Sequence, residues 1–490
     1  MDRLASALLA FPPGASLDGL SDNAAFDQAV KPHVSNLSKI LSDHSAELIG
    51  HAPQLLELLD PAVNSLSYLA VLHALIFPRP DPSVSIDVIL DALVSFLLSF
   101  DGRQCRYARG HLQDIFNAAG SGQLLPPSVA VETLALAILN LEPTGSILTS
   151  SHLLLAKLAY TTNNIEPALD VIDKKIVFYP GMANCGEPKY LCDLSLSPPA
   201  YISRDTGLTS PLKSSSIMEY DLLCGLMYSS RRDWSKACQA FERVVTFPTR
   251  EGGASKIMVE AYKKWLLVSL LSKGNLGETP PYTGATAAKL YLNFTKPYAT
   301  IAGLFVADDA EELKAHAEKN AQLWSDDGNT GLIHEVLAAY QKWQVISLER
   351  IYSKISLSEI REQTTSAETG GRLENDEAIE TLIQNMIISG MLKGVIEKND
   401  DGLSYLTFLP PSTNLSEHEF ARELATTAAR LKKLQPIFKA TNERLSTNRD
   451  YIKHVIKDAK QREKSEQDPI GSFDAHVDDE DLMGGVVATG

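Results

Sequence analysis

The sequence predicts a mostly α protein: an α-solenoid of helical repeats, then a winged helix, then C-terminal helices. Three observations carry this expectation. Apolar residues recur at helical spacing from the N-terminus onward, as at Leu66, Leu69, Ala70 and Leu72. Two segments offset by 69 residues place small and aromatic or aliphatic side chains at the same intervals, Ala156 matching Gly225 and Ile172 matching Phe241. After residue 351 the pattern changes to an amphipathic helix followed by two short β-like runs around a tight turn.

Residues 1–145 read as helix after helix. Leu4 to Ala10 has the apolar look of a secretion signal, but Asp2 stands where a basic residue belongs and Pro12-Pro13 follows, so a short amphipathic helix is expected. Leu55, Leu56, Leu58 and Leu59 lead into Leu66 to His73. Pro78, Pro80 and Pro82 break the chain, and Ile86 to Phe100 resumes it. With no second histidine close by in sequence, His73 is expected to be a structural histidine of an apolar face rather than a metal ligand.

Residues 146–350 carry the repeat. Gly225 and Tyr228 lie on one helix, Arg231-Arg232-Asp233 makes the turn, and Ala237 and Phe241 lie on the next. Ala156, Ala159, Ala168 and Ile172 repeat the spacing, with Asn163-Asn164 as the turn. These are tetratricopeptide-like intervals, in which a small residue admits the partner helix and an aromatic fills the gap. Stacked pairs of this kind make extended protein-binding surfaces. Between the copies, residues 181–216 are rich in Pro, Gly and Ser and read as a loop insertion. Helices are expected again at Ser255–Leu271, Ala287–Phe294, Asp309–Leu323 and Gly331–Tyr352.

Residues 351–410 read as the winged helix. Ser356 to Ile360 is expected to form one turn of helix capped by Ser358. Asn375 to Ser389 is expected to be the longer helix, with Ile379, Leu382, Ile383, Met386 and Ile387 on one face and Gly390 as its stop. Met391–Glu397 and Leu403–Phe408 are two expected strands around Asn399-Asp400-Asp401-Gly402. Tyr405, Leu406 and Phe408 lie on the last strand, where an open sheet edge is expected to pair with partners. The helix that would read DNA carries Asp376, Glu377 and Glu380 and no Lys or Arg. Its face repels phosphate, so a protein-docking module is expected.

Residues 411–463 place Phe420, Leu424, Thr427, Leu431, Leu434 and Phe438 at alternating spacings of 4 and 3, a coiled-coil-like seam. Pro436 predicts a kink or break. The stripe either folds back on its own chain or joins a bundle of partner helices, with Leu424, Leu431 and Phe438 as anchors. Residues 464–490 are acidic and polar, and a disordered tail is expected.

Chemistry finds no footing. A formal net charge of −16 argues against a general nucleic-acid or anionic-membrane binder. The longest apolar clusters are too short for a bilayer span. Five cysteines without a CxxC pair suit a reducing compartment. There is no HExxH, no HxH with a ligand-spaced Asp and no GxSxG. Gly181 to Gly186 begins like a phosphate loop, but Glu187 stands where its lysine must be. Catalytic, metal and cofactor-binding residues are all expected to be absent. Lys263-Lys264, between Tyr262 and Trp265, is either a solvated helix face or a contact for an acidic partner.

Asn64 to Leu72, Arg106-Tyr107-Ala108, Val259 to Leu270, Met386 to Gly390 and the turn at Asp401-Gly402 carry a resemblance. Helical repeats running into a winged helix resemble the PCI module, and these segments are most similar to the subunit 3 family of the COP9 signalosome over roughly residues 60–450. The resemblance implies a non-catalytic scaffold in a complex that removes a ubiquitin-like modifier from cullins and so regulates cullin-RING ubiquitin ligases. Its implied partners are other signalosome subunits, met through winged-helix edges and C-terminal helices, and cullin-RING ligases. No nucleic acid and no membrane are implied, and residence in nucleus and cytoplasm is expected. A PCI subunit of the proteasome lid or of a translation initiation factor complex is the alternative, and a nucleic-acid-binding adaptor is a third.

Overall fold

The computed structural model describes residues 2–13, 22–77, 84–108, 110–180, 188–249, 253–276, 279–307, 309–398, 403–409, 417–449, 451–457 and 460. It divides into two compact units, Met1–His418 and Glu419–Gly490. The expected turn at Asn399–Gly402, Pro410-Pro411, the Gly181–Gly186 segment, Cys185 and the acidic tail lie outside the described residues.

The first unit is a stack of helices. Its long members are α1 (Asn23–Asp43), α2 (Ser65–Ile76), α3 (Ile86–Ser99), α4 (His111–Gly120), α5 (Pro127–Leu141) and α6 (Ser150–Thr161). They continue with α7 (Ser214–Ser230), α8 (Trp234–Val245), α9 (Lys256–Lys273), α10 (Ala285–Phe294), α11 (Lys296–Ala307), α12 (Ala310–Lys319) and α13 (Thr330–Leu348). One buried core runs from Leu4 to Ala367 with no break near residue 145. A short helix, Asp2–Leu8, buries Leu4 and Leu8 and so has the expected amphipathic face.

Local signals set the boundaries. Asp22 accepts the Ala25 amide at 3.1 Å and starts α1. Ser255 accepts from the Met258 amide at 3.3 Å and starts α9, which ends at Gly274 with φ +68°. A Cβ on Gly274 would also strike the indole of Trp343. Position 274 therefore needs glycine for conformation and for space. Helix α9 is buried nearly all round, with Trp265, Leu266, Leu267, Val268 and Leu270 all covered, as a helix at the centre of a stack must be.

The two repeat copies share a backbone device. Asn163 and Arg232, 69 residues apart, are the two described non-glycine residues in the left-handed region, at φ +53° and +59°. The amide after each reaches back five residues: Asn164 to the Ala159 carbonyl and Asp233 to the Tyr228 carbonyl, both at 3.0 Å. The ring of Phe241 occupies the space that a Cβ on Gly225 would need, so the small residue does admit the partner helix. In the earlier copy the second helix is short, a 3-10 turn at Glu166–Ala168 followed by Leu169–Ile172, with Pro167 at its start.

Helix α13 leads into a second buried core that holds Val345, Ile355, Ile360, Ile379, Ile383, Met386, Leu392, Leu406 and Phe408. Its elements are β1 (Lys354–Ser356), α14 (Leu357–Gln363), α15 (Asp376–Ile388), β2 (Gly394–Lys398) and β3 (Ser404–Phe408). Helix, strand, two helices and two strands in this order are the connectivity of a winged helix. The sheet is antiparallel with order β1-β3-β2. The sequence reading finds two strands and the structure has three, because a three-residue strand is too short to show an alternating pattern. Ser356, not Ser358, caps α14, accepting the Glu359 amide at 3.2 Å. Asn375 caps α15, and Gly390, at φ +72°, stops it.

Two predictions follow from this packing. Gly225→Ala adds a methyl where Phe241 stands, and overpacking of this kind costs about 1–3 kcal/mol, more than the roughly 1 kcal/mol of helix propensity that alanine gains. A lowered melting temperature, restored in part by adding Phe241→Leu, is expected in thermal unfolding. The second concerns His33 and His152. The Ser67 hydroxyl donates to the Leu8 carbonyl at 2.7 Å, so His33 Nε2 must be the donor in its 2.9 Å contact with Ser67. His152 accepts the Thr149 amide on Nδ1 at 3.3 Å. Burial pushes both imidazoles down from 6.5 to about 4. The unfolded chain then binds more protons than the folded one between those values. Stability is therefore expected to fall as pH drops from 6.5 toward 4, and denaturant titrations of His152→Gln should show a shallower fall than the parent chain.

Candidate interaction surfaces

Strand β3 is the centre of the winged-helix sheet. Leu406 pairs with Ile355 on one side and Ile396 on the other, and it is fully buried. Phe408 is buried beside it and faces Gly394, where a Cβ would come within 2.9 Å of Leu406 Cδ1. The expectation that Tyr405, Leu406 and Phe408 offer an open edge is therefore corrected. A strand bonded on both sides has no free edge, and Leu406 and Phe408 belong to the core. Among the described residues the outer strands of the sheet are β1 and β2, each bonded on one side only. On the outer sheet face, Lys354 Nζ pairs with Glu397 at 2.7 Å and lies 5.3 Å from the Tyr405 ring centre, and Thr407 donates to Glu397 at 3.2 Å.

On α15, Asp376 and Glu377 are exposed and Glu380 is half-buried. Arg361 pairs with Asp376 at 3.0 Å and Lys398 with Glu380 at 3.6 Å. The nearby cations are thus engaged by the helix's own carboxylates rather than aimed at phosphate.

Lys263 and Lys264 are corrected as well. Lys263 Nζ lies 2.7 Å from Asp327 and 3.5 Å from Glu260, and Lys264 pairs with Glu260 while nearly buried. Their carboxylate partners come from the same chain. Tyr262 stacks on Tyr291 at 4.5 Å, and Tyr262 and Trp265 are both core residues. The segment that carries much of the family resemblance is the middle of the stack. His73 does acquire a histidine neighbour: His111 lies 4.3 Å away ring to ring, and Asp114 takes His73 Nε2 at 3.0 Å. Among the described residues no group of three or more His, Cys, Asp or Glu is placed to hold a metal ion. No described helix is long and apolar enough to cross a membrane.

The C-terminal helix, α16 (Glu417–Thr447), presents the predicted seam to solvent. Leu424 is 60% exposed, Leu431 64% and Phe438 73%, with Phe420 and Leu434 also exposed. Helix α16 continues through Pro436 without the expected break. Residues 451–457 are helical too, and expose Tyr451, Ile452, Val455 and Ile456.

The insertion is more ordered than its composition suggests. Cys192, Tyr201, Ile202 and Leu208 are buried. The Arg106 guanidinium donates to the carbonyls of Leu191 at 3.0 Å and Asp193 at 2.7 Å and sits 3.6 Å over the Tyr201 ring. Arg103 donates to the Cys192 carbonyl at 2.9 Å, and the Cys192 amide donates to the Tyr107 hydroxyl at 3.2 Å. Arg106-Tyr107, singled out by resemblance, is thus a clamp on the insertion. Its partners are mostly backbone carbonyls, which leave no mark in a sequence. The four described cysteines are free and buried, and burial pushes the Cys105, Cys224 and Cys238 thiols up. Raised thiols of this kind are packing groups rather than nucleophiles.

A family model for the N-terminal helical repeats of COP9 signalosome complex subunit 3 matches residues 28–192 and 199–287. The COP9 signalosome complex subunit 3 of Neurospora crassa is 41% identical over 503 aligned residues, covering 100% of each chain. That of Emericella nidulans is 27% identical over 448 residues, covering 88% of this chain and 89% of its own.

The clamp predicts that Arg106→Met frees the insertion. Two part-buried carbonyls would lose their donor, at a cost of about 1 kcal/mol or more. Limited proteolysis is expected to cut residues 188–202 faster in the variant, with α9 still protected. Unchanged cleavage there would remove the clamp.

Proposed function

We propose, for a chain that belongs to the COP9 signalosome subunit 3 family, a non-catalytic scaffold role within a signalosome. The full-length likeness to the Neurospora crassa subunit carries this reading and favours it over a lid or initiation-factor subunit. The complex so built removes a ubiquitin-like modifier from cullins and thereby regulates cullin-RING ligases, in nucleus and cytoplasm, with the hydrolytic centre in another subunit.

Three features support this reading. The stack from Leu4 to Ala367, held by one continuous core, serves as the spacer. The β1 and β2 edges offer unpaired backbone groups for strand addition. The seam of α16 offers apolar anchors to partner helices. Burying one Leu or Phe side chain contributes about 1.5–3 kcal/mol, so Leu424, Leu431 and Phe438 are the largest single apolar contributions that the seam offers against the ordering cost of docking. The paired acidic face of α15 speaks against a nucleic-acid adaptor.

Leu424→Asp with Leu431→Asp is expected to abolish co-purification of the other subunits while circular dichroism of the chain stays nearly unchanged. A variant that still assembles would refute seam docking. The purified chain alone should leave a modified cullin intact, with or without added zinc, and cleavage by it would sink the scaffold assignment.

A further inference from the structure

The seam of α16 and its continuation stand out for charge as well as exposure. The whole chain has a net charge of −16, yet residues 430–460 contain nine Lys and Arg against three Asp and Glu. Arg430, Lys432, Lys439 and Lys453 are exposed. Lys432 and Lys439 are seven residues apart, so they share one flank of the helix, beside Leu431, Leu434 and Phe438. The surface is therefore an apolar stripe with a cationic margin, and it suits an acidic peptide that carries apolar side chains.

The sequence that follows the helix contains such a peptide. Residues 466–481 hold seven Asp and Glu and no Lys or Arg, with four acids in a row at Asp478, Asp479, Glu480 and Asp481. Phe473, Val477, Leu482 and Met483 flank those acids. Lys460 is the last described residue. The 14 residues from it to Asp474 reach about 46 Å when extended. At the helical rise the 21 residues from Lys439 to Lys460 would span about 32 Å. The tail is long enough to return along the helix.

We propose that residues 473–483 dock on the α16 seam of the unassembled subunit, their acids against Lys432, Lys439 and Lys453 and their apolar residues over Leu431 and Phe438. The tail then covers the docking surface until partner helices displace it. That consequence rests on the seam being the assembly element, whereas the docking itself does not. Each exposed ion pair is weak and screened by salt, so the contact depends on tethering and yields to a true bundle partner.

The test uses the full chain purified alone. A zero-length carbodiimide cross-linker, read by mass spectrometry in the monomer fraction, is expected to join Asp474–Asp481 carboxylates to Lys432, Lys439 or Lys453, and high salt is expected to suppress these links. Removing residues 466–490, or making Lys432→Glu with Lys439→Glu, is expected to raise binding of an anilinonaphthalene dye. A gain on the order of threefold follows from a millimolar effective concentration set against a weak contact. The gain should vanish when Leu424→Asp and Leu431→Asp are added. Links spread evenly over other exposed lysines such as Lys289 and Lys319, links that appear only between two chains, or dye binding unchanged by tail removal would each overturn the proposal. Failure of seam docking in assembly would show separately, as an Asp-substituted chain that still co-purifies its partners.

Discussion

A helix pair in this chain cannot dry its own faces, and the need to stack governs everything from Leu4 to Ala367. Helix α9 meets that need most fully. Trp265, Leu267, Val268 and Leu270 lie on different sides of it, and all are buried. Gly225 and Gly274 mark where neighbouring helices leave no room for a side chain. The winged helix continues the stack with a core of its own, shared with the end of α13 through Val345 and Leu348. The seam of α16 is the same requirement left unmet: Leu424, Leu431 and Phe438 are patterned for a neighbour and exposed to water.

What was legible in the sequence was what is local. The interval from Gly225 to Phe241 lies within one helical pair, and the contact it implies is present. The longer winged-helix element was bounded within a residue, because Asn375 and Gly390 are cap signals adjacent to it. What was not legible depends on distant partners. Nothing near Lys263 announces Asp327, so a half-buried ion pair within the chain reads from sequence as a solvated face or a contact for an acidic partner. Nothing in Ser404–Phe408 says which strand will be central, since that is decided when Lys354–Ser356 pairs with it. Arg232 adopts a positive φ without being Asn or Gly, and only its 69-residue correspondence with Asn163 gives the turn away. The insertion read as loop because Arg106 holds it by backbone carbonyls.

Polar contacts divide into two groups of unequal weight. Across the repeats, Arg231 reaches Glu166, Lys236 reaches Asp173 and Arg232 reaches Glu335. These pairs are solvent-exposed, and each contributes at most about 1 kcal/mol. The buried group matters more because its failure leaves groups unsatisfied. Arg106, His33 and His152 each fix a long-range or turn contact that packing alone would leave ambiguous in register. Apolar stacking supplies most of the stability, and these buried contacts select the arrangement.

A protein that exposes sheet edges and an apolar seam must keep those surfaces from indiscriminate contacts. The sheet edges do so by geometry and charge. Strand β1 has three residues and β2 has five, and β2 ends in Glu397 and Lys398. Short, charged edges resist indiscriminate pairing. The α16 seam has no such protection within itself: its anchors recur every seven residues, and it runs through Pro436 without a break. A long apolar stripe with charged margins tolerates solvent only at low concentration or under a cover. The contrast between guarded edges and an unguarded seam is what the proposed docking of the acidic tail would act on. Residues 430–460 carry nine Lys and Arg against three acids, and the acids that follow them have the opposite sign.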